Sequence, residues 1–93
     1  MAASKTGLPK YAKGDGFVFA ARINEIVPYI YPRAVGAKTM RFSDSPKKVN
    51  LIGEWIAANN PVIGGYFVVE DVNSNTICRF VDANTFAGQY TPA

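Results

Sequence analysis

Histidine is absent from the chain, which removes the commonest general base at neutral pH and the commonest metal ligand. Cysteine is nearly absent as well. The single residue, Cys78, excludes a disulfide within the chain and a cysteine-based zinc site, so a reducing compartment is the simplest expectation. No apolar run approaches the roughly 18 residues of a membrane-spanning helix. The first residues carry no apolar stretch after Lys5, so a secretory signal is not expected. Charge of one sign is also scarce. Ten Lys/Arg against seven Asp/Glu give +3, too mild for a dedicated duplex-binding domain but compatible with an anionic partner.

What is present is a core. Of 93 residues 48% are apolar and 18% charged, the balance of one small globular domain. A chain this short leaves apolar surface exposed, so a homo-oligomer is expected. Residues 1–15 mix Ala, Ser, Lys, Gly and Pro9 without a period and read as a flexible or loosely docked N-terminal arm. Residues 16–93 form the folded domain.

The clearest signal is a hairpin. Residues 66–71 and 76–81 alternate on either side of a polar turn, and an even-length loop sets Phe67 opposite Phe80 and Val69 opposite Cys78 on an apolar face. Val68 then opposes Arg79, Tyr66 opposes Val81 and Glu70 opposes Ile77 on the other face. Upstream, residues 17–26 alternate, with Phe17, Phe19, Ala21 and Ile23 on the expected core side. Residues 38–42 turn Met40 and Phe42 inward, residues 43–46 are dense in turn chemistry, and residues 47–51 return as a short strand. Leu51, Ile52, Trp55 and Ile56 mark one face of a short helix with Asn50 as its N-cap, stopped by Asn60-Pro61. Asp82 caps a C-terminal helical turn anchored by Phe86, with Gly88 as its exit, and residues 89–92 are expected as a last extended segment. The expected fold is α+β: an antiparallel sheet of four or five strands, one short helix and a C-terminal helical turn.

No Ser/His or Cys/His pair, zinc spacing or phosphate loop points to an enzyme, and no catalytic, metal or cofactor residue is assigned. Glu70 and Asp71 are neighbours on a strand and point to opposite faces, so they cannot act on one bond. Binding is the better reading. Strand parity places Arg22, Arg41 and Arg79 on the faces opposite the apolar ones, with Tyr66 and the Lys47-Lys48 turn nearby, and guanidinium groups suit phosphate or carboxylate. The bland alternative is a solvated face screened by Glu25 and Glu70. Tyr29, Ile30 and Tyr31, bracketed by Pro28 and Pro32, either fold back onto the core or offer a second contact surface.

Pro61-x-x-Gly64-Gly65-Tyr66-Phe67-Val68-Val69, followed by Phe86-x-x-x-Tyr90-x-Pro92, resembles the C-terminal half of small uncharacterised accessory proteins of tailed bacteriophages. The order of residues 19–23 and 54–57 ahead of these motifs fits the same resemblance, which covers residues 17–92. The segments at 28–36 and 43–48 depart from it. The resemblance implies a non-enzymatic binding protein of the host cytoplasm that interferes with a host process, with antiviral defence the expected target. Its partner would be a host protein or an anionic small-molecule signal. A nucleic-acid-binding module and a structural virion component are the alternatives.

Overall fold

The computed structural model describes residues 7–29, 36–72 and 74–92. Its elements in chain order are β1 (Lys10–Lys13), β2 (Gly16–Pro28), β3 (Lys38–Phe42), β4 (Lys48–Leu51), α1 (Gly53–Asn59), β5 (Tyr66–Val72), β6 (Asn75–Val81), α2 (Ala83–Gln89) and β7 (Thr91–Pro92). The α+β expectation holds, but the sheet has seven strands instead of four or five, and two helices cover it.

The long strand β2 organises the sheet, because three antiparallel neighbours share it. Ala20 N donates to Pro9 O and Ser43 N donates to Arg22 O, so β1 and β3 follow one another along one backbone edge. Ile23 N donates to Gly65 O and Gly64 N to Ile23 O, which places β5 on the opposite edge. β4 extends the β3 side, β6 extends the β5 side, and β7 pairs with β1. A register shift between Ile23 and Glu25 marks a bulge where β2 passes from β1 to β3.

The hairpin β5–β6 adopts the expected register in full: Phe67 faces Phe80, Val68 faces Arg79, Val69 faces Cys78, and the pairing runs out to Val72 with Asn75. Apolar groups line both sides of this sheet. On one side Ala21, Ile23, Phe67 and Val69 pack with Leu8, Met40 and Phe42, and Trp55 and Phe80 close over them. On the other, Val18, Ala20, Val68 and Val81 are buried under Phe86 and Tyr90. The alternative of a fully solvated sheet face is therefore corrected in part: α2 covers Val18, Ala20, Val68 and Val81, while Arg22 and Arg41 on the same face stay exposed.

Four local readings change with it. Residues 8–13 do not behave as an arm, since Leu8 is buried and β1 pairs with β2 through the Gly14-Asp15 turn. Residues 1–6 lie outside the described residues. Asn50 and Leu51 belong to β4, opposite Thr39 and Lys38, so α1 starts later, with Ile52 at its N-cap and no side-chain cap. Gly88 lies within α2, which runs on to Gln89. Phe17, expected inward, is 58% exposed and carries the Lys10 ammonium 4.0 Å above its ring. The Asp82 cap and the Phe86 anchor stand as read, with Asp82 accepting from Thr85 N at 2.8 Å.

Candidate binding surface

Strand parity puts Arg22 and Arg79 on the face that α2 covers. Arg22 lies opposite Tyr66, and Arg79 lies opposite Val68, one row away. The helix then separates them. Beyond the bulge, Arg41 pairs with Glu25 on one side and Lys48 on the other, pointing away from Met40 and Phe42. The three arginines share a sheet face yet open into three separate clefts.

Arg79 is the most enclosed of the three. Its Nη2 donates to the Tyr90 hydroxyl at 2.6 Å, and its Nη1 lies 2.8 Å from Glu70 Oε1. Burial works against the charge, but Tyr90 and Glu70 outweigh it and raise the guanidinium pKa above its ordinary value. Lys13 Nζ reaches the other Glu70 oxygen at 4.0 Å. Arg79 borders a cleft of about 380 Å³ with Lys13, Thr85 and Gln89, but its donors are already directed inward at Glu70 and Tyr90.

Arg41 faces outward. Its Nε sits 3.5 Å from Glu25 Oε1, with both side chains at least half exposed. It lines a cleft of about 290 Å³ with Phe42, Ser45, Pro46, Lys47 and Lys48. The wall formed by residues 45–48 is held in place by Ser45, a buried hydroxyl that donates to Gly7 O at 2.6 Å and accepts from Lys47 N at 3.2 Å. Lys47 and Lys48 thus join Arg41 as expected, and neither joins Arg22 or Arg79.

Arg22 lies beside an aromatic group. Tyr66 and Phe86 stack with centroids 3.7 Å apart at 5°, Phe86 and Tyr90 stack at 4.6 Å, and Tyr11 stands edge-on to Phe86 at 4.8 Å. These rings, Arg22 and Pro92 border a second cleft of about 380 Å³. The Tyr11 phenol has its pKa raised, by burial first and then by Asp44 and Tyr66, so it is a neutral hydroxyl at physiological pH. Asp44 Oδ1 accepts from the Arg22 backbone N at 3.0 Å.

Tyr29 lies apart from all three. It is half-buried, donates its N–H to Ala37 O at 3.0 Å and borders a small cleft with Leu51 and Ile52. Tyr31 lies outside the described residues. Tyr11, Phe86 and Tyr90 are site-forming residues that the sequence reading did not assign. The i, i+4 spacing of Phe86 and Tyr90 was the available signal, since it puts both rings on one side of α2.

Among the described residues no group of three or more His, Cys, Asp or Glu side chains is placed to hold a metal ion, and no helix is long and apolar enough to cross a membrane. No family model, curated protein or solved structure matches the chain.

Proposed function

We propose that the protein is a non-enzymatic, phage-encoded binding protein that blocks a host antiviral defence by occluding or sequestering one of its acidic components. The observation that carries this reading is the cross-strand pair Arg41–Lys48. Two exposed cations stand directly opposite each other on adjacent strands, an arrangement that is destabilising in a sheet. Glu25 relieves it from one side, and the cleft that Lys47 also borders lies on the other. An anionic group seated there relieves the remaining repulsion, so the surface is organised for a partner at some expense to the fold. The phage-like motifs at residues 61–69 and 86–92 support the proposed origin.

The test is affinity capture from infected host cells with the full chain and with an Arg41→Ala/Lys48→Ala double variant, identifying retained proteins and small molecules. A host component held by the wild type and lost by the variant is expected. Retention of nothing but the protein itself, or of the same component by both, removes the reading.

The same cations favour nucleic acid as the second reading. It predicts binding to oligonucleotides that weakens steeply as salt rises, because neutralised phosphates release counterions. Absent or salt-insensitive binding to single- and double-stranded oligonucleotides eliminates it.

A further inference from the structure

Of the three sheet-face arginines, Arg41 has Glu25 and Arg79 has Glu70 and Tyr90 as partners. The Arg22 guanidinium is exposed and has no ion pair or hydrogen bond among the described residues. Asp44 meets Arg22 through the arginine's backbone amide, from which Oδ1 accepts at 3.0 Å. This unengaged cation stands at the rim of the cleft that Tyr11, Tyr66, Phe86 and Pro92 line.

The cleft is open because its other lining residues are small. A β-carbon built on Gly64 meets nothing within 4 Å, and Ala83 and Ala87 present only methyl groups from α2. The aromatic side is rigid. Phe86 and Tyr90 are buried and stacked, and the half-buried rings of Tyr11 and Tyr66 lean on Phe86. Its volume, about 380 Å³, falls within the roughly 300–1,000 Å³ of small-molecule sites. Rigid aromatic walls favour a flat, polarisable ring, and one free guanidinium at the edge favours a planar anion in bidentate contact.

We propose that this cleft is a small-molecule site for a planar aromatic ring bearing an anionic group, with the ring against Tyr11, Tyr66 and Pro92 and the anion on Arg22. The site uses none of the residues of the Arg41–Lys48 surface and stands without it. A nucleoside phosphate and an aromatic carboxylate share the required chemistry.

The test is titration of the full-length protein with the four nucleoside monophosphates in one arm and naphthoate in the other, to millimolar concentration, followed by amide NMR spectra. Saturable shifts are expected at Gly64, Ala83, Ala87 and the Arg22 side chain, and not at Arg41, Lys47 or Lys48. Arg22→Gln weakens binding at least about tenfold, as the loss of a charge-assisted contact requires. Ala87→Leu, a change at an exposed helical position, fills the cleft and abolishes binding without lowering Tm. Binding in either arm or both supports the site and identifies the source of the anion. Binding in neither, or binding unchanged in both variants, overturns it.

Discussion

At Gly65 a β-carbon would stand 2.2 Å from Phe80 Cε1, 2.5 Å from Phe80 Cζ and 3.2 Å from the Val81 carbonyl oxygen. The same residue lends its carbonyl to Ile23 N and its amide to Val62 O, so the backbone is tied while the ring lies across it. Glycine here is a demand of close approach. Gly65→Ala is expected to cost about 1–3 kcal/mol in urea denaturation, the usual penalty of overpacking. Because the clash is with one ring, the cost should fall by at least half in a Phe80→Leu background, and an equal cost in both backgrounds would show that the ring is not the cause. The glycine pair could be read from the sequence as the opening of a hairpin. The reason for the second glycine could not, since the ring above it comes from the partner strand.

Among the elements, α1 depends most on its surroundings. It has seven residues, no side-chain cap at its start and no fully buried residue, and an isolated helix of that length is unstable in water. It is held through the edge of β6. Trp55 Nε1 donates to Cys78 O at 2.9 Å, Phe80 N donates to Asn59 Oδ1 at 3.2 Å, and Asn59 Nδ2 donates back to Trp55 O at 3.0 Å. The helix thereby covers backbone groups that an edge strand would otherwise offer to another chain. Asn59→Ala is expected to destabilise by about 1 kcal/mol and to speed amide exchange at Phe80. Asn59→Asp keeps the acceptor and should leave that amide protected, and unchanged exchange at Phe80 in the alanine variant would refute the contact. For α2, the cap decides the pH response. Hydrogen bonds from the Thr85 backbone and hydroxyl hold the Asp82 carboxyl below its ordinary 3.8. A depressed folded-state value stabilises above 3.8 and loses that contribution as the pH falls through it. Asp82→Ala should therefore lower Tm at neutral pH, with the gap to wild type closing as the solution is acidified. A gap independent of pH would contradict the capping account.

Over the whole molecule, what was legible in the sequence was set by local rules. Alternation and an even turn define the β5–β6 register, and Asp82 ahead of the Phe86 anchor defines a helix start. Where a long-range partner competed, the local signal lost. Asn50 is a competent cap, but its pairing with Thr39, reinforced by a 2.7 Å side-chain hydrogen bond, draws it into β4. Strand β1 is only four residues long and has no apolar period, although Gly14-Asp15 is a two-residue hairpin turn with Gly14 at φ 57°. The binding surface divides the same way. Parity correctly sends Arg22, Arg41 and Arg79 to one side of the sheet, because parity is a property of each strand alone. Their separation follows from strand order and from α2 lying between two of them, which no strand records.

The pairing of Tyr11 with Pro92 and Ala12 with Thr91 joins segments from opposite ends of the described chain. That contact closes a loop of most of the chain, and closing so long a loop is entropically slow. The core beneath α2 has the same character, since Val18 and Ala20 are buried under Phe86 and Tyr90 from the far end of the chain. Of the two cores, the one beneath α2 thus depends on contacts of the longest sequence separation, and a cut in the chain between them is expected to loosen it first.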